Sequence, residues 1–212
     1  MARHDRTRLP AAERRRQIIT AATRLVAERG FWGLSMQDVA ADCGLTVPGL
    51  LHHVGSKDGL LIAILEHRDA EDARALASLL GAPPLGVPSP SSSPSLSPSL
   101  SPSLSSPSPS LREVCAAVVR RNASQPEIVR LFAVLQAESL TPDHPAHAYF
   151  VARQQRILDE ITALAKAAGG PAPPETTARR VMALMDGVQL QWLRSPGSDL
   201  IQLWADTVGD LP

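Results

Sequence analysis

The amino-acid sequence predicts an all-α protein: an N-terminal three-helix helix-turn-helix domain, joined by a long fourth helix to a C-terminal helical bundle. Three observations carry this expectation. Apolar residues recur at helical spacing in most segments, and Gly and Pro stops fall between those segments. In addition, the stretch from Ser35 to Lys57, S-M-Q-D-V-A-A-D-C-G-L-T-V-P-G-L-L-H-H-V-G-S-K, reads as two short helices around a Gly turn, followed by the start of a third. That order is the helix-turn-helix pattern, whose second helix lies in the DNA major groove.

Within that stretch each boundary has a local cause. The Ser35 hydroxyl is placed to accept from the Asp38 amide, and the Asp38 carboxylate to reach back to the Ser35 amide, as in a capping box. Val39, Ala40 and Cys43 fall on one face of a helix of about two turns. Gly44 supplies a left-handed residue that ends it. Thr46 caps a second helix whose early Pro48 sits where an N–H is not needed. Gly55 stops that helix near His53, and Ser56 caps the next.

The first nine residues carry Arg3, Arg6 and Arg8 and little that packs, so residues 1–9 are expected to be a flexible basic arm. From Pro10 to Arg29, Ile18, Ile19, Ala22, Leu25 and Val26 form the apolar stripe of a first helix, with Arg14, Arg15, Arg16 and Arg24 mostly elsewhere on the wheel. Gly30 ends it, and Phe31 and Trp32 are expected to pack at the turn. The helix-turn-helix domain spans 10–56. A linking helix over 57–80 follows, with Leu60, Leu61, Ile64, Leu65, Arg68 and Leu76 in its stripe.

Residues 81–110 then break the pattern. From Pro88 to Ser110 there are only Ser, Pro and three Leu, and seven prolines in 23 residues forbid a helix. This reads as a disordered Ser/Pro-rich insertion in a surface connection. Helices return over 111–212. One is expected to end near Asn122, one to be capped by Ser124 with Pro126 in its first turn, one to run to about Ala168, one from Glu175 to Arg194, and a last from about Ser198 to Val208. The fourth of these carries Leu184, Val188 and Trp192 at i, i+4 and i+8. Its apolar surface exceeds what one neighbour covers, which suits a dimer seam.

Composition narrows the function. No run approaches 18 apolar residues, and the Arg-rich start has no apolar segment, so neither a membrane span nor a secretory signal is expected and the predicted location is cytoplasmic. Net charge is zero but unevenly spread: residues 1–57 hold nine Arg or Lys against five Asp or Glu. A basic head on an acidic body suits an approach to phosphates. Cys43 and Cys115 read as single core residues rather than a spaced framework. No G-x-S-x-G, phosphate-binding loop or dinucleotide fingerprint is present, so no enzymatic activity and no cofactor are expected. His52 and His53, being adjacent, cannot grip one metal from a regular helix. His144 and His147, with Asp143, have a spacing that can chelate, but Pro145 intervenes; a helix-start turn capped by Asp143 is the preferred reading. Met182, Met185, Asp186 and Gln189 are candidate lining for a small-molecule pocket.

The run R-R-R-Q-I-I-T-A-A-T-R-L-V-A-E-R-G-F, then S-M-Q-D-V-A-A-D-C-G-L-T-V-P-G-L-L-H-H-V-G-S-K-D-G-L-L-I-A-I-L-E, resembles the N-terminal domain of TetR-type (TetR/AcrR) transcriptional regulators. The stretches L-F-A-V-L-Q-A-E, D-H-P-A-H and L-M-D-G-V-Q-L-Q-W-L resemble the ligand and dimer domain of a subgroup. The resemblance implies a homodimer that binds a palindromic double-stranded DNA operator as a repressor and is released by an unidentified small-molecule effector. It implies DNA contacts from Ser35 and Gln37, from Thr46, Val47, Pro48, Gly49, Leu51, His52 and His53 on the recognition helix, and from Lys57. The family often has a polar or basic residue where Val47 stands and Tyr where Leu51 stands. Val47 and Gly49 point to apolar contact with thymine methyls and few direct base hydrogen bonds. The alternatives carried beside this reading are a transcriptional activator, and a helical small-molecule or metal-binding protein using Asp143, His144 and His147.

Overall fold

The computed structural model describes residues 9–81 and 108–209. Most of the expected basic arm and of the Ser/Pro-rich segment lies outside them. Among the described residues every regular element is helical: α1 (Ala11–Arg29), α2 (Met36–Asp42), α3 (Val47–Val54), α4 (Lys57–Leu80), α5 (Leu111–Ala123), α6 (Pro126–Glu138), α7 (His147–Ala168), α8 (Pro174–Arg194) and α9 (Leu200–Val208). The all-α expectation holds.

The described chain forms two compact units. A head unit comprises the chain up to Arg68 together with Glu127–Phe150, and a body unit comprises Asp69–Pro126 with the residues from Val151 on. These units run differently from the expected boundaries, which placed all of 111–212 in one C-terminal domain. The physical reason is the apolar face of α6. Leu131 and Leu135 are fully buried, and with Ala146 and Phe150 they join the same core as Ile18, Val26, Phe31, Leu50 and Leu60. The divide on the other side falls within α4, between Arg68 and Asp69.

The body core gathers Leu111, Cys115 and Val119 of α5, Ala165 of α7, Val181 and Val188 of α8, and Leu200 and Trp204 of α9. Half-buried charge pairs also join its helices. Asp69 accepts from Arg153 Nε at 3.0 Å and Arg156 Nη2 at 2.9 Å, and Asp72 accepts from Arg121. Both cysteines are buried and free, and burial pushes the Cys115 thiol up to about 11 and the Cys43 thiol upward. Thiols held protonated in this way are poor nucleophiles.

Three local readings are corrected. Ser124 does not cap α6; its hydroxyl donates to the Arg121 carbonyl and closes α5. Asp143 does not cap α7, which begins four residues later at His147. The last helix starts at Leu200 rather than Ser198, with the Asp199 carboxylate accepting from the Ile201 amide at 2.8 Å. One cap went unread. The Ser110 hydroxyl accepts from the Glu113 amide and the Glu113 carboxylate accepts from the Ser110 amide, forming a complete box at the start of α5. The Ser110 amide and hydroxyl both donate to the Glu113 carboxylate, at 2.8 Å each, and hold its carboxyl below the ordinary value. At the other edge of the undescribed segment, α4 is followed by Gly81 with φ of 60°.

Candidate nucleic-acid interface

The helix-turn-helix folds as its local signals dictate. The Ser35 hydroxyl accepts from the Asp38 amide at 3.4 Å, and the Thr46 hydroxyl accepts from the Gly49 amide at 3.2 Å. Gly44 turns the chain between α2 and α3 with φ of 63°. Only half of the expected Ser35 box forms. The Asp38 side chain is a methylene shorter than the Glu of a full box, and its carboxylate pairs instead with Arg29 at 2.9 Å. On α3, Leu50 and Val54 are buried. The opposite face presents Pro48, Leu51 and His52 to solvent, with Val47, Gly49 and His53 half-buried. Thr46 at its N-cap and Gln37 on α2 are exposed, and Ser35 is half-buried.

The arginines of α1 make their contacts within the head. Arg14 donates to Gln17 at 2.7 Å and to the Cys43 carbonyl at 3.5 Å, and Arg15 donates to the His53 carbonyl at 3.0 Å. Arg16 pairs with Glu13, Arg24 with Asp42 and Glu28, and Arg29 with Asp38. The bond to Asp42, reinforced by its charge, raises the Arg24 value. These arginines brace α1 against α2 and α3 and cap the carbonyl end of α3, where positive charge suits the helix dipole. Lys57, on the first turn of α4, instead lies with its ammonium 4.6 Å from the centre of the Phe31 ring. The His52 and His53 rings meet edge-to-face at 5.5 Å.

The Asp143, His144 and His147 set is not gathered into a site. Nδ1 of His144 accepts from the Ala146 amide, Nδ1 of His147 faces the Ser139 carbonyl at 2.8 Å, and Asp143 is exposed. Among the described residues no group of three or more His, Cys, Asp or Glu is arranged to hold a metal ion.

In the body unit, Met182 and Gln189 on α8 are half-buried, Met185 packs against the core, and Asp186 is exposed. An open groove of about 300 Å³ lies elsewhere, between α5 and α9, lined by Arg112, Arg120, Ile201 and Trp204 among others. None of the four α8 candidates borders it. No described helix is long and apolar enough to cross a membrane.

A capped short helix with an exposed outer face, packed behind a Gly turn, defines a helix-turn-helix DNA-binding head. Residues 18–64 match the family model described as bacterial regulatory proteins, tetR family. The HTH-type transcriptional activator FasR of Mycolicibacterium smegmatis is 37% identical over 59 residues, a match spanning 28% of this chain and about a quarter (27%) of that protein's length. Over most of the chain the fold is similar to solved structures. One is AibR in complex with isovaleryl coenzyme A and operator DNA (TM-score 0.63, 22% identity, 92% of this chain and 96% of that one). Another is NalD, the secondary repressor of the MexAB-OprM multidrug efflux pump in Pseudomonas aeruginosa (TM-score 0.61, 19% identity, 93% and 96%). Residues 18–64 thus match the tetR family model, and the fold of the chain is similar to that of a solved TetR-family regulator from Rhodococcus sp. (TM-score 0.66, 22% identity, 93% of this chain and 98% of that one).

Proposed function

We propose that the protein is a ligand-responsive, homodimeric repressor that binds a palindromic operator through α3. The observation that carries the reading is the outer face of α3, where Pro48, Leu51 and His52 stand exposed on a helix anchored from behind by Leu50 and Val54. On this reading Ser35 and Gln37 meet the backbone at the start of α2. Thr46, Val47, Pro48, Gly49, Leu51, His52 and His53 meet the groove, and Lys57 meets a phosphate. Because Val47, Gly49 and Leu51 offer no side-chain hydrogen bonds, apolar contact and groove shape contribute much of the discrimination.

Dimerisation is assigned to α8, where Leu190 is 41% exposed and Met182, Leu184 and Trp192 are only half-buried. The paired heads would then stand about 34–36 Å apart, or a multiple of it, to meet successive major grooves. The small-molecule effector is assigned to the body unit, with Met182, Met185, Asp186 and Gln189 as its candidate contacts. It acts by favouring one of two placements of α4, since a ligand shifts an equilibrium only by its differential affinity for the states. The AibR complex, with both a coenzyme A ester and operator DNA, supports a two-ligand regulator of this kind.

Lys57→Ala tests the DNA contact. It should weaken binding to all sequences alike and lower the slope of log affinity against log salt by about one unit; an unchanged slope removes Lys57 from the contact set. A monomer at micromolar concentration overturns the dimer. A second reading, activation, is favoured by the relative FasR being an activator. A reporter driven from the selected operator separates the two by the sign of its response to deletion of the regulator.

A further inference from the structure

Far from the recognition helix in sequence, the last residue of α6 is an acid. Glu138 therefore sits at the negative end of its helix dipole, where a carboxylate is locally disfavoured. Its placement is explained by what it touches. Glu138 Oε2 accepts a hydrogen bond from the Phe31 amide at 3.2 Å, across 107 positions of sequence. Phe31 opens the turn that leads from α1 to Ser35 and α2, and its ring is 1% exposed.

Two further features fit the carboxylate to this place. Gly30 adopts φ of 70°, and a Cβ built there would lie 2.7 Å from Glu138 Oε1, so the acid packs closely against the turn. His144 is buried beside it, with Nδ1 accepting from the Ala146 amide at 3.2 Å. That bond assigns the ring proton to Nε2. Among the described residues Nε2 has no hydrogen-bond partner, and it stands 3.9 Å from Glu138 Oε2. The same imidazole meets the Phe31 ring edge-to-face at 5.2 Å, with the largely exposed Trp32 at 5.7 Å. The Phe31 ring also lies under the Lys57 ammonium at 4.6 Å.

We propose that Glu138, supported by His144 and Gly30, is a positioning residue for the DNA contact: it fixes Phe31, and Phe31 seats Lys57. The carboxylate acts through its hydrogen bond to the Phe31 amide, not through its charge, and the α6–α7 corner thereby sets the phosphate contact at the start of α4. The affinity arm of the test rests on the DNA-binding reading above; the amide-exchange arm does not.

The experiment compares Glu138→Gln, which keeps an acceptor oxygen, with Glu138→Leu, which does not, after thermal unfolding has shown both folded. In DNA-free protein, hydrogen exchange at the amides of residues 31–35 should speed up at least tenfold in Glu138→Leu and stay within about twofold of the parent in Glu138→Gln. On operator DNA selected with the parent protein, Glu138→Leu should bind about five- to tenfold more weakly and lose about one unit of salt slope, with Glu138→Gln near the parent. The double variant Glu138→Leu/Lys57→Ala should bind no more than about twofold worse than Lys57→Ala alone, because both changes remove one contact. Equal exchange in the Gln and Leu variants, or additive losses in the double variant, overturns the proposal. A parent protein that binds no DNA sinks the functional reading while leaving the exchange result to decide the clamp.

Discussion

Ten of the twelve largest fully buried side chains among the described residues, from Ile18 and Phe31 to Leu131 and Leu135, lie in the head unit; only Leu111 and Leu200 lie in the body unit. The charge pairs are distributed the opposite way. In the head, Arg16–Glu13, Arg24–Asp42 and Arg29–Asp38 have side chains 43–63% exposed, whereas in the body Arg121–Asp72 and Arg153–Asp69 have side chains 20–27% exposed, with Arg156, which shares Asp69, at 40%. Solvent-exposed pairs are screened and contribute little, so the head is held by its apolar interior and local caps. The body joins long helices by shielded charge and leaves apolar side chains of α8 half-covered. A closely packed head and a body that leaves apolar surface uncovered suit the separate DNA, partner and effector duties proposed above.

The sharpest way to break this contrast is Leu50→Ala. Truncating a fully buried Leu beneath α3 should cost about 2–5 kcal/mol, read as a fall in the urea midpoint. A loss below 1 kcal/mol would mean that the head core is not the rigid element described. Next is Asp69→Asn in the body, which leaves Arg153 and Arg156 facing a neutral amide. A loss of about 1–3 kcal/mol is expected, against less than about 0.5 kcal/mol for Glu13→Gln at the exposed Arg16 pair of the head. Equal costs at the two sites would erase the distinction. Thr46→Ala should destabilise the head by about 1 kcal/mol through the lost cap of α3, with operator affinity falling alongside.

The smallest effect concerns Glu160 in the body, whose carboxyl is raised above its ordinary value chiefly by burial, against the lowering influence of Arg156 and Arg153. Its folded form holds the proton more tightly than the unfolded chain does. That contribution is complete below the ordinary carboxylate range and is lost as pH rises through the raised value. Glu160→Gln should therefore raise Tm slightly at pH 7 relative to the parent, with the gain vanishing near pH 4. A gain that grows on acidification contradicts the assignment.

Much of the helix-turn-helix was legible in the sequence because its determinants are local. Gly44, Thr46, Pro48 and Gly55 act within three or four residues of themselves, and the structure uses each at the expected place. Two errors arose where a more distant group outbid a local one: Asp38 was drawn to Arg29 rather than Ser35, and α6 joined the head core through Leu131 and Leu135. A third was a choice between two local partners, in which Ser124 turned back three residues to the Arg121 carbonyl instead of capping α6. Trp32, expected to pack, is 66% exposed, while its neighbour Phe31 takes the buried place. The Glu138 contact had one faint signal, an acid at the wrong end of a helix, but its partner was a backbone amide that carries no residue code. Arginine roles were illegible for a related reason: a guanidinium suits a phosphate and a carbonyl equally well, and only proximity chooses.

The helix ends on either side of the Ser/Pro-rich stretch bear on its length. Gly81, with φ of 60°, follows α4, and the Ser110–Glu113 box opens α5 with the Glu113 and Ser110 amides satisfied. Loop closure grows costlier only logarithmically with length. A change in the length of this stretch should therefore cost little in loop closure, and the Ser110–Glu113 box at the start of α5 would remain.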